Sequence, residues 1–276
     1  MSKLETLKSF IHRIICQNEV VNNALREYLQ EERIKCLYVQ IVPNCGHYAN
    51  ISDISVLVGV PDVVEYYNLA KKLDCGNKLS SYLRAIDIVS KCSTTEISIN
   101  FFAYNCEEHL INSVLEESDL LNNESPTIHD NLTMQALSFS LFHEIGHLLN
   151  DKSLSSYSQM TKEYKADEFA FVSITSNCTN YDTAAFFGAL ISIGQILLKR
   201  CKDEEVKDTE HPHSIERMYE LFHFWHISDE SPFWETAYSI IREWTKRYNI
   251  DISWIKGSSS SYKEKVYDAY EHFRKK

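Results

Sequence analysis

Apolar residues near the start of the chain recur at helical spacing. Leu4, Leu7, Phe10, Ile11, Ile14 and Ile15 make one stripe and Leu25, Tyr28 and Leu29 a later one, which predicts one or two amphipathic opening helices. The pattern then shifts. Residues 36–42 and 51–60 read as strands, and 96–104 alternates Ile97, Ile99, Phe101 and Ala103 in strand period. Helix-like spacing over 63–73 and 79–89 lies between them. From Asn131 onward the chain reads as nearly all helix, interrupted by a polar loop near 202–210 and a glycine–serine run at 257–261. There is no internal repeat and no clear linker. The expected fold class is α+β and predominantly helical. Residues 1–125 supply a small sheet and residues 126–276 a helical half, the two integrated in one domain.

One helix of the second half is apolar nearly all round. Leu132, Ala136, Leu137, Phe139, Ser140, Leu141, Ile145, Leu148 and Leu149 follow polar Asp130 and Asn131, and Asn150 and Asp151 close the run. Such a helix is buried. Yet it carries His143-Glu144-Ile145-Gly146-His147. Residues one turn apart share a helix face, so His143 and His147 can hold one metal ion from adjacent turns. Glu144 projects about 100° away, beside the ion, where a general base would hold a water. The plainer alternative is a pair of core histidines satisfied by hydrogen bonds.

Zinc in a hydrolase takes three protein ligands and keeps a fourth position open. After a polar stretch, Glu163 and Asp167 lie one turn apart on a second helical pattern, with small Ala166 and Ala170 permitting close helix approach. Glu163 suits a third ligand. Asp167 suits an acceptor for a ligand histidine's other N–H, fixing its tautomer. An acidic surface face interleaved with Lys162 and Lys165 is the bland reading of the same residues. Further on, His211-Pro212-His213-Ser214-Ile215-Glu216-Arg217 begins another helix, with Pro212 suited to its first turn. His211 could donate to an oxyanion or cap the open metal position at rest, and Arg217 could brace Asp167 or Glu163. An ordinary helix start with a surface ion pair is the alternative.

The order His-Glu-x-x-His, then Glu-x-x-Ala-Asp-x-x-Ala, then His-Pro-x-x-x-x-Arg resembles the zinc metallopeptidases whose third ligand is a glutamate. It is similar to the HtpX-like membrane proteases and, more closely, to the soluble Lit-type phage-exclusion proteases. The resemblance covers about residues 135–220. It implies a zincin-like catalytic half with Zn²⁺ on His143, His147 and Glu163 and with Glu144 as the catalytic glutamate. Asp167, His211 and Arg217 match the supporting positions. It also implies cleavage of a cytosolic host protein, elongation factor Tu in the Lit case, and an activating peptide or trigger protein. In a zincin a strand beside the metal pairs with extended substrate, and residues 97–103 are the strand nominated for that edge.

Composition narrows the classes. Net charge is −11 with a pI of about 5.5, which disfavours nucleic acid as a partner. Lys199-Arg200-Cys201-Lys202 is small enough to be a solvated helix end. Hydrophobic content of 44% with only 7 Gly and 5 Pro fits a proper core and few linkers. The eight cysteines show no Cys-x-x-Cys pair, and the opening residues read as an amphipathic helix rather than a secretion signal. Reduced core thiols and a cytoplasmic location are expected. The best apolar stretch, 184–198, is short of the roughly 20 residues a membrane span needs and carries Ser192 and Gln195.

These readings converge on a zinc-dependent endopeptidase acting on a cytosolic protein, in phage defence and under conditional activation. The alternative is a regulatory protein that keeps the zinc fold and works by binding a partner.

Overall fold

Ser2 starts the first helix, α1 (Lys3–Gln17), by accepting the Glu5 N–H through its hydroxyl. Leu4, Leu7, Ile11 and Ile15 are buried along one face. Asn18 breaks the helix and restarts it, its side-chain oxygen accepting the Val21 N–H at 3.0 Å to open α2 (Glu19–Glu31). The opening stripe is therefore two helices. The computed structural model describes residues 2–31, 37–43, 46–50, 55–77, 108–122, 127–150, 156–176, 183–201, 211–255 and 261–274.

Three short strands follow: β1 (Tyr38–Val42), β2 (Tyr48–Asn50) and β3 (Ser55–Gly59). Their order is β1-β3-β2, with β3 parallel to β1 and antiparallel to β2. Central β3 is buried at every position, as its Val56-Leu57-Val58 run requires. It passes directly into α3 (Val60–Asn77), whose first turn holds Pro61 without loss of a helical hydrogen bond. The strand expected over 51–60 ends at Gly59, where that helix begins, and its residues 51–54 lie outside the described residues. β2 was not anticipated, because three residues carry no readable alternation. The expected strand over 96–104, with its edge at 97–103, and the expected helix over 79–89 lie outside the described residues.

The remaining described helices are α4 (Glu108–Glu116), α5 (Ile128–Asn150), α6 (Gln159–Thr175), α7 (Thr183–Lys199), α8 (Ser214–Phe224), α9 (Pro232–Arg247) and α10 (Tyr262–Arg274). With this helical majority and a small sheet, the chain is α+β and predominantly helical, as expected. Helix α5 begins before Asn131 because Thr127 and Asp130 cap it reciprocally. The Thr127 hydroxyl accepts the Asp130 N–H at 3.1 Å, and the Asp130 carboxylate accepts the Thr127 N–H at 2.8 Å. Among the described residues, no helix is long and apolar enough to cross a membrane.

Helix α5 is the axis of the core, with α6, α7 and α3 packed around it and β2 touching it. Glycines set two of these approaches. A Cβ at Gly146 would lie 3.1 Å from the Ala166 Cα of α6. At Gly188 of α7 it would lie 2.4 Å from the Gln135 Cβ and 2.6 Å from the Gln135 carbonyl carbon. Helix α8 starts later than Pro212, which precedes it. His213 is its N-cap, with Nδ1 accepting the Ile215 N–H at 3.1 Å and its ring stacked on Phe273 of α10.

Two outcomes follow from this packing. Gly188→Ala forces α5 and α7 apart and should lower stability in urea by about 1–3 kcal/mol, since the clash is with backbone and not with a flexible side-chain end. An unchanged midpoint would contradict the backbone contact. His213→Ala should cost about 1 kcal/mol at pH 7 through the lost cap. Burial, with the Arg200 charge adding to it, lowers the His213 pKa to about 4. The folded pKa lies below the unfolded value, so the stabilising neutral form is present above pH 6.5 and lost as pH falls towards 4. The stability gap between wild type and His213→Ala should therefore narrow over that window, and a widening gap would refute the assignment.

Candidate active site

His143 and His147 occupy adjacent turns of α5 on one face, with ring planes at 88° and Nε2 atoms 3.0 Å apart. The close crossing at Gly146 and Ala166 brings α6 against that face. Glu163 is buried there, with Oε2 3.3 Å from His143 Nε2 and Oε1 3.2 Å from His147 Nε2. These three residues form a group whose donor atoms all lie within 4.8 Å of one another. A tetrahedral ion with bonds of about 2.0–2.1 Å separates its ligand atoms by about 3.3–3.4 Å. Spacing and donor chemistry both allow the group to hold a metal ion of that size.

Asp167, one turn after Glu163, lies behind His143. The His143 Nδ1–H donates to its carboxylate at 2.8 Å, which leaves Nε2 facing His147 and Glu163. Helix α8 delivers Arg217, whose Nε and Nη2 donate to the two oxygens of Asp167 at 2.8 and 2.6 Å. All three side chains are buried. Removing one partner of such a buried pair typically costs about 3–5 kcal/mol, because the other charge is left uncompensated. Of the two partners expected for Arg217, the structure brings it onto Asp167.

The electrostatics favour a cation. Burial works against a charge on His143, but Asp167 and Glu163 override it and raise its pKa to about 10. Burial likewise opposes ionisation of Glu163, yet His143, His147 and Arg217 hold it far below the usual carboxylate range. Asp167 is buried too, and Arg217 with His143 brings it down to about 2. The field that favours a proton on His143 favours a metal ion in the same place. Glu144 differs. Burial raises its pKa, the two histidines partly offset this, and the Ala49 N–H of β2 donates to its carboxylate. It is a half-buried carboxylate poised to accept a proton.

His211 stands at the rim, more than a third exposed, with Nε2 3.7 Å from Glu163 Oε1. It lies outside the three-residue group. All the residues singled out in the sequence thus meet around one cavity of about 650 Å³, with Asp167 directly behind its wall.

Other walls were not foreseen. His47, Asp62 and Tyr66 come from the N-terminal part, and Ser140, Ser192, Gln195 and Lys199 from α5 and α7. Ser192 and Gln195 did leave a signal, as polar interruptions of an otherwise apolar helix. His47 and Tyr66 left none. The strand that borders the site, among the described residues, is β2.

The Peptidase U49 family model matches residues 95–237, a span that contains every donor and supporting residue from His143 to Arg217. No curated protein and no solved structure matches the chain. A match over more than half the chain, on the segments that supply these converging side chains, makes it a member of peptidase family U49, the Lit protease family of metallopeptidases.

Proposed function

We propose that the protein is a zinc-dependent endopeptidase of phage defence that cleaves a cytosolic protein. The observation that carries this reading is the convergence of His143 Nε2, His147 Nε2 and Glu163 on one point, with Glu144 beside it in the same cavity. Two imidazoles and one carboxylate make a donor set suited to Zn²⁺ with one position left open. Zn²⁺ held there supplies Lewis acidity, polarising the scissile carbonyl and acidifying water.

The chain's own groups do the rest. Glu144 takes a proton from the attacking water and passes it to the leaving amine as the C–N bond breaks. Its raised pKa suits both halves of that transfer. Asp167 holds His143 in the tautomer that presents Nε2, and Arg217 keeps Asp167 ionised. His211, at the rim, donates to the oxygen that gains charge when the carbonyl carbon becomes tetrahedral. Family membership supports the defence role and a conditional activity released by a peptide or trigger protein, since an unrestrained protease would damage its own cell.

Elemental analysis should find one zinc per chain, lost from the double variant His143→Ala with His147→Ala. Glu144→Gln should keep fold and zinc while proteolysis of the cellular target falls by about three or more orders of magnitude. A Glu144→Gln protein with full biological effect would sink the enzyme reading and favour action by binding. Asp167→Asn keeps the size of the side chain and removes its charge. Zinc affinity, measured by competition with a chelator, should drop about 10–100-fold. Wild-type affinity in that variant would deny Asp167 its supporting role.

A further inference from the structure

On the Glu144 side of the cavity stands a second polar wall that the hydrolytic step does not use. The buried Tyr66 hydroxyl lies 2.8 Å from that of Ser140, which lies 2.7 Å from that of Ser192. Ser140 is one turn before Glu144 on α5, so this chain of hydroxyls runs beside the proposed base. Each member has a partner.

Two neighbours lack one. His47 stacks on Tyr66 with ring centroids 5.7 Å apart, and its side chain is only 8% exposed. Its Nδ1 accepts the Gly59 N–H at 3.2 Å, which assigns the ring proton to Nε2. Among the described residues that N–H makes no hydrogen bond of ordinary length, although the Leu57 carbonyl also interacts with the ring. Asp62 is 4.0 Å away and is taken up by the Gly46 N–H and the Lys199 ammonium. Gln195, one turn after Ser192 on α7, is 5% exposed, and its Nε2 is also without a partner. Both side chains line the cavity.

We infer that this wall is the pocket for a substrate side chain next to the scissile bond, and that its occupant is a carboxamide, the side chain of Gln or Asn. This rests on reading the site as a metallopeptidase. An apolar occupant would leave the His47 and Gln195 N–H groups buried and unbonded, which costs more than a good bond contributes. A carboxylate would be buried beside Glu144 with neutral donors only, because Asp62 already neutralises Lys199. Burial lowers the His47 pKa to about 4, with Lys199 reinforcing the effect and Asp62 and the Leu57 carbonyl opposing it, so the ring stays a neutral donor. A carboxamide satisfies both sides. Its oxygen accepts from His47 and Gln195, and its NH₂ donates to the hydroxyl oxygens or Asp62, with no net charge brought in.

The test uses the zinc-loaded, full-length protein and three hydroxamate peptidomimetics. They share one backbone and differ only in carrying a glutamine, glutamate or leucine side chain. Calorimetry should show the glutamine probe binding at least about tenfold tighter than either of the others. In Gln195→Leu and in His47→Phe, each measured alone, that lead should shrink to under about threefold, with the leucine probe binding at least as tightly as it does to wild type because one unbonded donor is gone. A leucine or glutamate probe that equals the glutamine probe on wild type would overturn the assignment, as would a lead that survives both substitutions. The wild-type ranking decides the matter even if a variant fails to fold. Failure of the metallopeptidase reading looks different: no zinc is retained and no probe binds, and the pocket assignment falls with it.

Discussion

With hydrogen in place of a side chain at Gly146, α6 lies so close to α5 that a methyl group there would sit 3.1 Å from the Ala166 Cα. That approach sets which side chains can meet. Glu163 and Asp167 stand on either side of Ala166, one turn apart, and at this separation both reach the α5 histidines. A wider crossing would leave Glu163 short of the two Nε2 atoms and Asp167 short of Nδ1. The glycine inside the histidine motif and the alanine inside the acidic motif are therefore two halves of one contact.

Behind this contact, charge is arranged in layers. Glu163 faces the two imidazoles, Asp167 backs His143, and Arg217 backs Asp167. Buried ions in such a series are costly to remove one at a time, so the outer member stabilises the inner ones. Arg217 depends in turn on where α8 begins, which His213 fixes by capping it and by stacking on Phe273. The C-terminal helices thus reach the donor group through one arginine, although none of α8, α9 and α10 supplies a donor to it.

The donor half of the site was legible because helical spacing is local. His143 with His147 and Glu163 with Asp167 declare shared faces within one turn, and the helices that carry them are long and periodic. The cavity's other walls depend on tertiary approach, which leaves no local trace. His47 reaches the cavity from the short segment between β1 and β2, and Tyr66 reads as one more apolar position on α3. Ser192 and Gln195 were visible as departures from the apolar pattern of α7, but their meaning required knowing what they face. The start of α8 was misplaced for a related reason. Proline suits a first helical turn, yet a histidine with a buried neutral ring can cap the helix one residue later.

The Ala49 amide that donates to Glu144 joins two regions with different histories open to them. Everything that holds the donor group lies in α5, α6 and the start of α8, a stretch in which a single exchange disturbs several buried charges at once. The opposite wall draws on β2, α3 and α7, where exchanges change shape and hydrogen bonding without touching those charges. The charged group and the hydroxyl wall thereby draw mainly on different elements around one cavity. The two are held in register by the Ala49–Glu144 hydrogen bond and by the Tyr66–Ser140 and Ser140–Ser192 hydroxyl pairs.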